Sequence, residues 1–562
     1  MTRRMLNRYT SKGLRRALFA GASAGVMGSA AWAQISSPAA PLSLETKYLG
    51  YSASVSPRVT VTDNVGLDQD GFRDDDVILS TLFTAGAIAS TPRVTAIGLG
   101  DIDVAFLSDD DEYVVNQNVG VASTFTAADN WVFVDVSGQS SRQFLGDNAR
   151  FSHNVNAARN QRINVHSYSV SPYVYHRMAD QSAVELRYRF SQAFIDDDDA
   201  DANFFGTDFL NDSTSHEATA SYESGGLYDR VRFRLAAYGA DYNESGSDQL
   251  PQFEFEQGTI LGEAQYALSR NLFLSGAVGY DEVNAQEATA LFFDEDDLSG
   301  VLWRAGLTAQ GRRSRLRVEY GERYGDGFID AELFYELSNR IIASGGATRT
   351  FRSRTQGLNT RFRETQTRVL DFADALREGQ TLSPRSVVDE ANEIANVFAG
   401  AAAQTVGVGV TDTAFLSMAG RFDQTTLTVS GFFEDSEFGF RDLKAYSAAL
   451  NLNHRLSRQL AIYGRIDFRR ANTTVSQSTC QANPVLFGLN PSTPAFDPVA
   501  SCAALVNSEG RTNTVNARVG AAHSIYKNVS LFGEYSHAER FSPTPELEYA
   551  ENVGTVGLTL DF

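Results

Sequence analysis

Apolar and polar residues alternate along most of this chain with a period of two. Val184, Leu186, Tyr188 and Phe190 share one face of a segment whose other face carries Glu185, Arg187, Arg189 and Ser191. The same pattern sets Val231, Phe233 and Leu235 against Arg232 and Arg234, and Leu316, Val318 and Tyr320 against Arg315, Arg317 and Glu319. Ile462, Ile466 and Phe468 oppose Arg465, Asp467 and Arg469, and Val556, Leu558, Leu560 and Phe562 oppose Thr555, Gly557, Thr559 and Asp561. Such alternation predicts β-strands with one apolar and one polar face. A soluble sandwich gives the same period, so strand length and connection length decide. The segments run for about 10 to 15 residues, beyond the usual five or six of soluble sheets and enough for a tilted membrane strand.

Ten short connections are centred near residues 91, 128, 178, 225, 269, 312, 338, 421, 456 and 526. Longer or acidic ones alternate with them, at 63–76, 143–160, 192–212, 243–255, 284–297 and 471–510. Short turns on one rim and long loops on the other mark an outer-membrane barrel. Ten hairpins, with one strand at 47–62 and one at 549–562, predict a single all-β, antiparallel transmembrane barrel of about 22 strands, within a range of 16 to 24. One stretch departs from the pattern. Val369, Phe372, Ala373 and Leu376 fall at helical spacing before Gly379, and Ser383-Pro384 opens a second helical run that ends at Gly400. A helical hairpin inserted at 358–405 is therefore expected, as a plug in the lumen or a cap on the mouth.

Residues 1–33 read as a cleaved export signal: Arg3, Arg4, Arg8, Lys12, Arg15 and Arg16, then an apolar stretch, then Ala31-Trp32-Ala33. Residues 34–562 would form the barrel. Beyond the signal no apolar run is long enough to span as a helix, and mean hydropathy is −0.24, which excludes a helical membrane protein. The whole chain carries 48 Lys+Arg against 69 Asp+Glu, a net charge of −21, which argues against a nucleic-acid partner. Metalloprotease, phosphate-loop and Cys-x2-Cys motifs are absent, and the Gly-x-Ser-x-Gly at Gly21–Gly25 lies in the signal. Ser524 beside His523 and Ser536 beside His537 point to opposite strand faces, so neither pair is a dyad. The reading is of a protein without enzymatic activity or cofactor.

Cleavage leaves only three lysines, Lys47, Lys444 and Lys527, so the mature cations are nearly all arginine. Arg187, Arg189, Arg232, Arg234, Arg315, Arg317, Arg465 and Arg469 fall opposite the apolar stripe, which in a barrel is the lumen. They suit a ladder with neighbouring acids or a path for anionic solutes. Asp197, Asp199, Asp201 and Asn203 match the start of a calcium loop, but Ala202 stands where its glycine would be, so solvated loop acids or a weak calcium site are both open. Cys480 and Cys502, the only cysteines, share one loop of an exported chain and predict a disulfide.

The C-terminal residues Thr555, Gly557, Leu558, Leu560 and Phe562 resemble the signal that barrel-assembly machinery reads. Pro57 to Val65, with Thr62-Asp63-Asn64 at its core, is similar to the opening of a family of outer-membrane β-barrel porins. These are Gram-negative proteins associated with exopolysaccharide-export and PEP-CTERM-type loci. Thr413-Ala414-Phe415-Leu416-Ser417 after the helical insert, and a hairpin ending near Arg441-Asp442, follow the same layout. The resemblance implies an outer-membrane location, with lipid, lipopolysaccharide, the assembly machinery and polysaccharide-export proteins as partners. It also implies a role as conduit or structural partner in surface polysaccharide export. A general diffusion porin for small solutes, anionic ones included, is the second expectation; a hydrolase or adhesion scaffold is the third.

Overall fold

The computed structural model describes residues 48–562 apart from 92, 110, 130, 145–151, 158–161, 197–211, 226–229, 246–251, 286–297, 354–407, 438–440, 476–479, 482–483, 485–496 and 509. The expected helical insert and the calcium-loop candidate lie outside the described residues.

Twenty-two strands form one sheet. They are β1 (Tyr48–Thr62), β2 (Asp76–Ser90), β3 (Val94–Leu107), β4 (Glu112–Ala128), β5 (Val132–Phe144), β6 (Arg162–Arg177), β7 (Ala183–Asp196), β8 (Ser213–Glu223), β9 (Val231–Glu244), β10 (Phe253–Ala267) and β11 (Leu272–Ala285). They continue as β12 (Gly300–Gln310), β13 (Ser314–Arg323), β14 (Asp326–Ser338), β15 (Ile341–Ser353), β16 (Val408–Arg421), β17 (Thr425–Glu437), β18 (Arg441–Arg455), β19 (Leu460–Val475), β20 (Arg511–Tyr526), β21 (Val529–Phe541) and β22 (Tyr549–Asp561). Each pairs antiparallel with its sequence neighbours, and β1 pairs with β22 from Ser54↔Asp561 to Thr62↔Val553, so the sheet has no free edge. Closure satisfies every wall strand on both sides, the condition for crossing a lipid bilayer with β structure.

The two faces divide as the alternation requires. Ile260, Val278, Val301, Leu186, Ile466, Val519 and Val556 are half or more exposed on the outside. On the opposite face of the sheet Thr259, Arg304, Glu319, Arg465 and Asp467 are buried on the inside. Apolar side chains toward lipid and polar ones toward the lumen place the protein in the outer membrane. The ten even-to-odd connections are short and define one rim; at one of them, Asp180 accepts from the Ser182 hydroxyl at 2.6 Å and from its N–H at 3.0 Å. Those two bonds hold the Asp180 carboxyl below the usual carboxylate range.

The seam between first and last strands is locked from inside by hydroxyls. Ser56 and Thr559 lie 3.0 Å apart, as do Thr60 and Thr555. At the long-loop rim, Thr62-Asp63-Asn64 finishes the lock. Asp63 accepts from the Asn552 N–H at 2.6 Å and its amide at 2.7 Å, while Asn64 donates to the Ala550 carbonyl at 3.0 Å. Gly557 is required here, because a Cβ would fall 2.7 Å from the Phe532 ring and 2.8 Å from the Pro57 carbonyl. In β22, Leu558 and Leu560 pair with outward Leu531 and Val529, and the Phe562 N–H reaches the Ala53 carbonyl at 2.9 Å.

The connection from β19 to β20, whose sequence holds Pro484, Pro491, Pro494 and Pro498 and so discourages strand pairing, contains a helix, α1 (Pro498–Ser508). Asp497 caps it, accepting from the N–H groups of Val499 at 2.9 Å and Ala500 at 3.3 Å, and Pro498 occupies the first turn, where no N–H is needed. Cys502 in α1 is bonded to Cys480, with Cα atoms 5.8 Å apart.

Candidate functional site

The inward face carries charges that neutralise one another. Arg304 of β12 is the hub: its guanidinium meets Glu263 of β10, Glu319 of β13 at 2.9 Å and Asp330 of β14. Register makes this reach possible, since Ala277 of β11 sits directly between Glu263 and Arg304 and leaves the space above it open. Gly321 faces Arg304 on the other side, and a Cβ there would fall 2.7 Å from Arg304 Cβ and 2.0 Å from the Trp303 carbonyl. The network extends through Arg317 to Asp330 at 2.8 Å, Arg315 to Glu332 at 3.4 Å, and Arg234 to Glu263 at 3.3 Å.

A second group occupies β5 to β8. Arg187 bonds Asp135 at 2.7 Å and Glu185 at 2.8 Å, and its guanidinium carbon stands 3.7 Å from the Tyr173 ring centre. Arg189 meets Glu217 at 3.3 Å. On the far side Arg465 meets Asp467 at 2.6 Å. Arg232 is exposed on the inward face near the short-turn rim, with no ion pair among the described residues, and Arg469 stands on the inward face of β19. The geometry of Arg187, Arg189, Arg234, Arg315, Arg317 and Arg465 is that of a ladder with neighbouring acids. Among the described residues no group of three or more His, Cys, Asp or Glu is placed to hold a metal.

Two features narrow the lumen from opposite walls. The first is residues 152–157 of the connection between β5 and β6, a segment that loop length alone would place outside. Instead it turns inward. Asn154 donates to Glu551 of β22 at 3.0 Å, Ser152 donates to the same carboxylate, and Thr62 of β1 reaches it at 2.7 Å. His153 lies 3.4 Å from Asp467 of β19, while Asn156 meets Asn116 of β4 at 2.6 Å and Asp103 of β3 at 3.4 Å. Asp103 in turn pairs with Arg58 of β1 at 2.7 Å. Ala157 packs with Leu67, Ala538 and Tyr549. The segment is thus hydrogen-bonded or paired to β3, β4, β19 and β22 around the seam, with Glu551 fully buried beneath it.

The second feature is an aromatic cluster at the long-loop mouth. The connection from β13 to β14 is a two-residue turn with positive φ at Tyr324 (55°) and Gly325 (75°), the backbone that a tight hairpin demands. Next to it, β15 leaves β14 after Ala347 but stays paired with β16 to Ser353, so this hairpin leans over the short turn. Phe351 thereby meets Tyr324 at 6.0 Å and Phe255 of β10 edge-on at 5.6 Å between ring centres. Tyr242, stacked on Phe255 at 4.9 Å, and Tyr238 extend the cluster down the wall. Arg323, fully buried, donates to both oxygens of Asp281 at 2.7 and 2.8 Å, and Gln257 donates to the Tyr324 hydroxyl at 3.2 Å. Sequence reasoning missed both features. Ser152, Asn154 and Asn156 look like any polar loop, and the connection around Gly325-Asp326-Gly327 is too short in sequence to show which rim it belongs to.

No family model and no curated protein matches this sequence. Solved structures do. The siderophore receptor PirA from Acinetobacter baumannii is 9% identical, with 92% of this chain and 81% of that one covered at a TM-score of 0.46. The ferric-catecholate import receptor Fiu from E. coli K12 is 8% identical, with 91% and 82% covered at 0.45. The copper transporter OprC is 9% identical, with 93% and 84% covered at 0.36.

The barrels matched are named as a siderophore receptor, an import receptor and a copper transporter, and none is named as a polysaccharide-export protein or a general porin. The expectation of a polysaccharide-export conduit, general diffusion porin, hydrolase or adhesion scaffold finds no support among them and is not carried further, nor are polysaccharide-export proteins as partners. The expectation had rested on a layout and a Thr-Asp-Asn motif, and that motif's side chains lock the barrel seam.

Proposed function

We propose that the protein is a gated uptake barrel of the outer membrane, admitting one class of solute from the long-loop side. The observation that carries this reading is the 152–157 segment, which stands inside the wall and is fastened to β3, β4, β19 and β22. A wide barrel obstructed by its own covalently continuous loop suits controlled passage. Its inner wall favours no single sign of charge, because the arginines are matched by carboxylates, so a polar, charge-balanced ligand fits better than a simple anion.

Planar-bilayer recording tests it. The intact protein should show little steady conductance, and a variant lacking residues 152–157 should conduct well. A large, permanently open channel in the intact protein would overturn the reading.

A further inference from the structure

The short-turn rim is a belt of positive charge on a strongly acidic protein. Nine of the ten short turns carry a basic residue in the turn or at the strand end beside it: Arg93, Arg177, Arg230, Arg270, the Arg312–Arg313 pair, Arg340, Arg421, Arg455 with Arg458, and Lys527. All of them are exposed. Arg340 meets Asp423 at 3.0 Å. By the same criterion the described acids on this rim are Asp129, Asp180, Glu223 and Asp423. The opposite rim has the reverse balance, with Asp68, Asp70, Asp74, Asp75, Asp109, Asp111 and Glu112 exposed or half-exposed in its first two connections.

We propose that this belt binds the anionic phospholipid headgroups of the leaflet that faces the short-turn side. The charges are distributed around the whole circumference. A leaflet touches a barrel on every side, whereas a folded partner protein touches one sector. The same turns also expose apolar side chains at Met178, Leu268, Phe422 and Leu456, with Trp131 and Tyr526, the residue types that mark a membrane interface, exposed beside them. Arginine outnumbers lysine in the belt, and a guanidinium fork can hold two oxygens of a phosphodiester at once. A basic belt at the edge of an apolar wall therefore meets phosphate at the depth where lipid headgroups lie. The inference is independent of what passes through the lumen.

The test is lipid retention by the full-length mature protein. The protein is reconstituted with equal phosphatidylglycerol and phosphatidylcholine, extracted in mild detergent, and its bound lipid is counted by mass spectrometry. A preference of about fivefold for phosphatidylglycerol is expected, weakening as salt is raised. A variant with Arg93, Arg177, Arg270, Arg312, Arg313, Arg455 and Arg458 all changed to Gln should lose the preference. The same seven positions changed to Lys should keep most of it and show that the barrel folds. Equal retention of the two lipids by the unaltered protein, or an unchanged preference in the Gln variant, would overturn the proposal. So would tight binding of soluble polyglutamate without any lipid preference, which would point to an acidic protein instead.

Discussion

Asn154 donates its side-chain amide to Glu551 across 397 residues of sequence, and this one contact ties a loop in the lumen to the seam that closes the barrel. Glu551 also accepts from Thr62 of the first strand, so the inward segment and the seam share an anchor. Loosening the anchor should therefore be felt in both conductance and stability.

Glu551→Ala removes the acceptor for Thr62, Ser152 and Asn154 at a fully buried position. Leaving buried donors without partners costs about 1–3 kcal/mol each. The variant should unfold at lower denaturant in detergent and show raised bilayer conductance. Unchanged conductance, with the midpoint lowered, would separate the seam role from the gating role.

Arg304→Met strips the guanidinium from Glu263, Glu319 and Asp330 together. Breaking a buried ionic cluster from one side costs about 3–5 kcal/mol, because the remaining charges stay uncompensated. Adding Glu319→Gln to the variant should recover part of the loss. Denaturant unfolding of the single and double variants checks both.

Ile260→Arg places a charge at the middle of β10 on the outer face, where the side chain is 70% exposed. At the bilayer midplane such a change costs about 2–4 kcal/mol. Folding into phospholipid vesicles should be destabilised by that amount, and Arg placed at exposed Ser269 in the short turn should cost far less.

Reducing the Cys480–Cys502 bond opens a loop closed over 22 positions. Loop closure of that size contributes about 3 kcal/mol in the chain-entropy model. Since both cysteines lie outside the strands, the reduced protein should keep its barrel, read as unchanged heat-modifiable gel migration, while protease cleavage between 480 and 502 increases.

Strand number was legible in the sequence because it depends on local signals. A period of two marks each strand, and the contrast between Arg312-Arg313 and the 471–510 connection marks which rim a turn belongs to. Membrane location followed from strand length and from the alternation of short and long connections, because Leu186 alternating with Arg187 would suit a soluble sandwich as well.

What the tertiary structure alone decided is who meets whom. Arg304 finds Glu263 only because β11 places Ala277 between them, and register is a property of paired strands rather than of one. Residues 152–157 turn into the lumen because Glu551, Asp467 and Asp103 stand there to receive them, from strands at both ends of the chain. No local pattern encodes that. A polar loop segment satisfies its hydrogen bonds in water as readily as in the lumen, and only the closed ring, by bringing β22 beside β1, turns the inner side into the better partner.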